Sequence, residues 1–325
     1  MFTLRVMTSM LIAFAFLTGT TATRAQDKFP GRTIRIIVPF APGGGVDTLA
    51  RLLAERMQAK MSVNVIVENR AGANGTIGGS HVMQSQPDGY TLLFSSNTHT
   101  MSKLVMNNAP YDPLADFTPI ARGGEAPLLV VISPKLPQNT LAEVAAAAQK
   151  EPDKWTAGTP ALGSPSHIAT LSFNRLSKAN MTITPYRGTA PALTDVAGGH
   201  IQMLTDAIVV LLPMAKSGGV KALAVTTTKR SAISSDIPTA AESGVPGLNV
   251  ASWYGLWGPK DMPPDVVGAL NAATAEAMRG LETAGRLADL GVEPTYSTPQ
   301  EFGTFQATEV QRNADLLKSV NFKPQ

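Results

Sequence analysis

The sequence predicts an α/β protein of two βα-rich lobes, and three observations carry that expectation. Strand-like runs alternate with amphipathic helical stretches along most of the chain. Glycine-marked turns after a strand open helices near residues 43–45, 163 and 188. Two segments, near 127 and 250, read as crossings between lobes, the arrangement of a hinged pair with a cleft.

The opening unit organises the rest. Ile34, Ile36 and Val38 alternate on a β-rich segment that Pro39 stops. Gly43-Gly44-Gly45 then permits backbone angles and close approaches that a Cβ would forbid. From Val46 the period becomes helical, with Leu49, Leu52, Leu53, Met57 and Met61 on one face. The unpaired N–H groups of such a helix start point into the turn, where the helix dipole is positive. Two readings follow: an anion cradle made of backbone, or an ordinary strand-to-helix turn. A nucleotide P-loop is excluded, because no Gly-Lys-Ser/Thr follows, and the dinucleotide fingerprint lacks its third glycine.

Residues 1–25 read as a cleavable export signal. Arg5 supplies the positive end, Met10–Leu17 an apolar core, and Ala22-Thr-Arg-Ala25 small residues for cleavage after Ala25. That core is far shorter than the roughly 20 residues a membrane span needs. Loss of Arg5 and Arg24, with no acid in the same stretch, lowers the formal charge from +3 to +1. No basic run or aromatic-basic interleaving points to nucleic acid. Zero cysteines leave neither a disulfide framework nor a lipid-anchoring thiol. The expected product is an exported, soluble, periplasmic monomer with no cofactor and no metal.

Along the chain, Val63–Val67 is the second strand, 77–85 a short helix and Tyr90–Phe94 the third strand, with Asn97 in the polar cluster at its C-terminal end. Ligands collect at such ends in open α/β sheets, although the cluster also suits a helix cap. Leu128–Ile132 is a strand, and Thr140 and Glu143 stand at capping-box spacing before an alanine-rich helix to about Lys150. After a strand at 155–159, Ser164 suits the N-cap and Pro165 the first position of another helix. A strand at 182–184 precedes a helix for which Thr189 is the expected cap. Ile201–Asp206 and Lys221–Val225 are strands, 237–247 a short helix, and Trp253–Pro259 the aromatic return crossing. Helices are expected over Pro264–Met278, Leu281–Leu290 and Pro299–Val320, with a strand-like Glu293–Tyr296 before the last.

Several of these pieces carry a resemblance: Ile36-Ile-Val-Pro-Phe-Ala-Pro-Gly-Gly44, Val67-Glu-Asn-Arg70, Pro87-Asp-Gly-Tyr-Thr-Leu92, Tyr111-Asp-Pro113, Gly163-Ser164 with His167, Pro185-Tyr-Arg-Gly188 and Ile237-Pro-Thr239. In that order, and over essentially the whole mature chain, the sequence resembles the Bug-type solute-binding proteins of tripartite tricarboxylate transporters. The resemblance implies a type II periplasmic binding-protein fold that closes on a small carboxylate, held largely by main-chain groups and bridging waters. It also implies delivery to a membrane permease. Lobe 1 would be residues 26–127 plus 250–325, and lobe 2 residues 128–249. Carried over by position, Phe40, Gly43, Gly44, Gly45 and Asp47 would contact the ligand from lobe 1. Gly163, Ser164, His167, Tyr186, Gly188, Thr189 and Ala190 would do so from lobe 2, with Asn97 and Asp206 as further candidates. Thr159-Pro-Ala-Leu162 departs from the glycine-rich turn usual before Gly163.

Each residue also has a plainer reading. Asp47 serves the helix dipole as well as a ligand donor. His167 is a packed or capping histidine as readily as a contact. Tyr186 closes the pocket or packs in the core, and Arg187 clamps a carboxylate or faces solvent or the hinge. Trp253, Tyr254 and Trp257 read better as a buried strand than as cleft wall. Ser164 with His167 invites a serine hydrolase, but no Gly-x-Ser-x-Gly elbow is present, and the four histidines are scattered without metal-ligand spacing. A binding protein is therefore expected rather than an enzyme. A ligand sensor that reports to a membrane signalling partner would need the same closed cleft.

Overall fold

The computed structural model describes residues 29–325, and the export signal read over 1–25 lies outside the described residues. The first unit is β1 (Ile34–Val38), α1 (Gly45–Met61) and β2 (Val65–Asn69), followed by α2 (Thr76–Met83), β3 (Thr91–Ser96) and the single turn α3 (Ser102–Val105). Strand β4 (Phe117–Ile132) then runs for 16 residues. Beyond it come α4 (Leu141–Lys150), β5 (Thr156–Thr159), α5 (Pro165–Ser177), β6 (Thr182–Pro185), α6 (Thr189–Gly198), β7 (Met203–Ala207), α7 (Ile208–Lys216) and β8 (Lys221–Val225). The chain ends with β9 (Ala251–Pro259), α8 (Pro264–Thr283), α9 (Arg286–Asp289) and α10 (Pro299–Ser319).

The strands lie in the order β2-β1-β3-β9-β4-β7-β5-β6, with β8 also paired to β4. Strand β4 links the two halves of this sheet. Phe117–Pro127 pairs antiparallel with β9, and Leu128–Ile132 pairs with β7, Leu129–Ile132 also pairing with β8 on the other side. The partners change at Pro127–Leu128, where the sequence places a crossing. The apolar run Leu128–Ile132 has two buried faces. Leu128, Val130 and Ile132 enter a core with Val144, Ile168 and Phe173, whereas Leu129 and Val131 enter one with Val196, Leu204 and Leu211. A third core joins Ile34, Ile36 and Val38 to Leu49, Leu53 and Met57 of α1, the face expected from its period.

Two contacts tie the halves together. Met101 and Val105, from before β4, pack into the core of the second half. Leu316 and Leu317, from α10, join the same core, while Phe302 at the other end of that helix packs with Trp253 and Trp257.

Side-chain caps hold the starts of α4 and α10. Thr140 accepts from the Glu143 N–H, and Thr298 and Glu301 form a reciprocal capping box on α10. Thr298→Ala is expected to lower stability by about 1 kcal/mol, read by urea unfolding at pH 7. An unchanged midpoint would show that α10 is held by packing alone.

Four expectations are corrected, the first being the strand-like Glu293–Tyr296, where only Glu293 forms a bridge, to Glu125. Residues 237–247 form turns rather than a helix, because Gly244 at φ +93° ends the chain reversal after one turn. Residues 281–290 are not one helix. Gly285 at φ +72° separates the end of α8 from the short α9. Helix α7 is additional: Ile208-Val-Val-Leu-Leu212 has no helical period, and Pro213 lies inside it.

Candidate functional site

A cavity of ≈ 390 Å³ lies where the three glycine-marked helix starts converge. Its first wall is the β1–α1 loop, Phe40 to Asp47. Gly43 takes φ +87°, and Gly44 is the N-cap of α1 with extended backbone and no side-chain cap. The first-turn N–H groups of α1 therefore remain free for a ligand.

Asp47 explains how this loop is held. It is only 4% exposed. Its Oδ2 accepts from the Gly43 N–H at 3.0 Å and from Arg51 Nε at 3.1 Å. Its Oδ1 accepts from Asn69 Nδ2 at 2.8 Å, and that same amide donates to the Phe40 carbonyl at 3.0 Å. Burial pushes the Asp47 carboxyl up, but the hydrogen bonds from Arg51, Gly43 and Asn69 outweigh it and hold the group below its ordinary value. The carboxylate is spent on shaping the cradle. Of the two roles read from sequence, fixing the helix start is the one its contacts serve.

The opposite wall comes from the starts of α5 and α6 and the end of β7. Ser164 caps α5, accepting from the His167 N–H at 3.2 Å and sharing a 2.9 Å hydrogen bond with the Thr159 hydroxyl. Gly188 is the N-cap of α6 at φ +114°, and its N–H donates to the Pro160 carbonyl. Thr189 does not cap: it is the first helical residue, and its hydroxyl donates to Asp206 Oδ2 at 2.5 Å. The Ala207 N–H donates to Asp206 Oδ1 at 2.8 Å. Burial raises the Asp206 carboxyl above its ordinary value, with these two hydrogen bonds and the neighbouring Ser166 hydroxyl opposing the rise. The walls meet at Gly45, where an added Cβ would lie 3.3 Å from Tyr254 Oη and 3.5 Å from Ala207 Cβ.

Phe40, Gly43, Gly44, Gly45 and Asp47 thus share one cavity with Ser164, Gly188, Thr189, Ala190 and Asp206. The other four candidates lie behind its walls. Asn97 points away because side chains alternate along β3 and its continuation: Ser96 and Thr98 face the cavity, while the Asn97 N–H donates to the Trp253 carbonyl. Gly163, at φ +73°, is packed so tightly that a Cβ would approach Met101 Cβ to 2.7 Å. The His167 ring is buried edge-on to Phe322, and its Nδ1 accepts from the Gly163 N–H at 3.1 Å. Tyr186 donates its hydroxyl to Asp195 Oδ2 at 2.7 Å, which together with burial pushes the phenol up to about 12.

The profile described as "Tripartite tricarboxylate transporter family receptor" matches residues 49–322. The chain belongs to that receptor family. It is 34% identical to Protein BugT of Bordetella pertussis over 312 residues, spanning 95% of this chain and 96% of BugT. Among solved structures, R. palustris Rpa4515 with adipate superposes with a TM-score of 0.87 at 32% identity, covering 91% of this chain and all of that one. MatC from Rhodopseudomonas palustris with bound malate gives 0.82 at 34% identity, over 89% of this chain and all of MatC. The α/β fold expected from the sequence is thus that of the periplasmic binding proteins.

In this receptor the cavity also takes residues outside the fourteen candidates, two of which, Arg187 and Tyr254, the sequence offered with a plainer reading. Arg187 lines it, whereas Tyr186 beside it does not. Ser252 and Tyr254 line it from β9, and alternation along that strand is the signal that separates them from Trp253 and Trp257, which pack in the core. Pro160 and Ala161, in the turn where the sequence departs from the family pattern, form part of the wall.

The buried histidines are expected to make the receptor sensitive to acid. Burial depresses His167 to about 4 and His99 to about 3, from an ordinary value near 6.5. Because the folded values are lower, the unfolded chain binds more protons below pH 6.5. Their stability contribution is complete above about pH 6.5 and is lost as pH falls toward 4. The melting temperature of the ligand-free protein is expected to drop between pH 7 and pH 4.5, and less so in His167→Gln. A flat profile would contradict the buried, neutral state.

Proposed function

We propose that this receptor captures a small organic carboxylate between its two halves in the periplasm and hands it to a membrane permease of the tripartite tricarboxylate type. The observation that carries the reading is the uncapped N-terminus of α1, set in a glycine loop, facing the starts of α5 and α6 across one cavity. Free backbone donors with aligned helix dipoles suit a carboxylate without requiring a cationic side chain. The carboxylates in Rpa4515 with adipate and MatC with bound malate support the same chemistry.

In this mechanism the acid first meets the 40–47 loop. Residues 26–127 with 250–325 then close on 128–249 about the crossings, and groups of the second half complete the shell. Each charge-assisted hydrogen bond contributes about 1.5–3 kcal/mol, so two or three supply about 3–9 kcal/mol of gross binding energy. Export through the N-terminal signal would place the protein with its ligand outside the cytoplasm.

A hydrolytic role finds no support in the geometry. The Ser164 hydroxyl meets the His167 backbone N–H rather than its ring, and His167 Nδ1 is occupied by Gly163. The test of the binding reading is a thermal-shift screen of mono-, di- and tricarboxylic acids beside their neutral amides. A rise in melting temperature with at least one acid and not with its amide is expected. No rise with any acid would reject the reading.

A further inference from the structure

An acid in the wall of an anion cavity needs a reason. Asp47 has one, since Arg51, Asn69 and Gly43 satisfy it within the loop. Asp206 differs. It lines the cavity at the end of β7, and no Lys, Arg or His among the described residues forms an ion pair with it. Each of its oxygens accepts one hydrogen bond, from the Thr189 hydroxyl and the Ala207 N–H. Those donors hold the carboxylate as an acceptor and fix its direction. An ionised carboxylate offers about four lone-pair positions, so at least one remains even when the nearby Ser166 hydroxyl takes a third.

With Asp206 ionised, a ligand that brought only carboxylate to this wall would meet like charge in a partly desolvated space. A ligand with an O–H or N–H beside its carboxylate would convert that repulsion into a charge-assisted hydrogen bond. Tyr254 and Arg187 line the same cavity, and among the hydrogen bonds and ion pairs of the described residues neither side chain is paired with Asp206.

We propose that Asp206 makes the cavity selective for acids carrying a hydrogen-bond donor, a hydroxyl or an ammonium, close to the carboxylate. The inference rests on the carboxylate-binding reading and specifies its substrate class. Sites built to satisfy a substrate hydroxyl or amine reject the analogue that lacks it, because their own polar group is left unpaired. The Thr189 and Ala207 contacts leave the alternative that Asp206 only positions the start of α6, and the two roles predict different results.

The experiment is titration calorimetry of the purified protein and of Asp206→Asn with matched acids: malate against succinate, and 2-hydroxyglutarate and glutamate against glutarate. The wild type is expected to favour at least one donor-bearing acid over its plain counterpart by roughly tenfold or more. In Asp206→Asn that ratio should shrink to roughly threefold or less, with the plain acid binding equally well or better because the repelling charge is gone. Plain acids binding the wild type as tightly as their donor-bearing partners would overturn the inference without recourse to any variant. A parallel loss for both members of a pair in Asp206→Asn would assign the residue to positioning α6 and overturn it too. Binding of none of these acids, with a plain tricarboxylate binding instead, would remove the donor requirement while keeping the carboxylate reading. Binding of no acid at all would reject both.

Discussion

Gly44→Val is expected to weaken carboxylate binding by roughly 100-fold or more while leaving the ligand-free protein as stable as the wild type. Two features of Gly44 separate binding from folding. Its φ of −80° and ψ of 168° are ordinary for any residue, so a side chain brings no backbone strain. An added Cβ meets nothing within 4 Å, because it projects into open space beside the cavity that Gly44 lines. The valine methyl groups would therefore occupy the approach to the first-turn N–H groups of α1, at the cost of charge-assisted hydrogen bonds rather than core packing.

Neighbouring glycines are less suitable. Gly43 and Gly188 sit at φ +87° and +114°, where valine is strained whatever the space, and Gly45 would press on Tyr254. A thermal melt without ligand and calorimetry with it test the pair of claims. Normal affinity in Gly44→Val would mean that the α1 cradle does not hold the acid.

Asp47→Ala is expected to cost about 3 kcal/mol of stability at pH 7, since it strips a buried carboxylate from several donors and leaves the Gly43 N–H and Asn69 amide without their acceptor. The half-exposed Arg51 adds little to that figure, because solvent screens its charge. The sign of the pH dependence follows from the lowered folded value. The contribution is complete above the unfolded carboxyl value of 3.8 and is lost as pH falls through the folded one. The difference between variant and wild type should thus persist at pH 5 and vanish in strong acid. Urea unfolding across that range decides it. Equal midpoints at pH 7 would show that the 40–47 loop is shaped without Asp47.

How far the site could be read from the chain depended on how local each cause is. The β1–α1 cradle is set by residues a few positions apart, and Pro39, the three glycines and the period of α1 all appear in sequence. Ser164 and Pro165 at the start of α5 are local in the same way. Thr189 went differently because its hydroxyl has a distant partner, Asp206, whose pull overrides the usual preference for capping. His167 and Gly163 looked like contacts because they adjoin a helix start, yet α3 and Phe322 arrive from remote parts of the chain to bury them. Tyr254 was hidden among three aromatic residues on one strand, and only the packing of Trp253 and Trp257 reveals which side is left for the cavity.

Short-range chemistry along the chain was enough to establish the alternation of strands and helices and the glycine-marked helix starts, since each arises from backbone preference and periodicity over a few residues. Assigning an acid to the scaffold or to the cavity required the folded molecule. Asp47 and Asp206 are the same side chain, and the fold completes them differently: the distant Asn69 amide joins the local Gly43 N–H and Arg51 guanidinium on one, and the distant Thr189 hydroxyl joins the adjacent Ala207 N–H on the other.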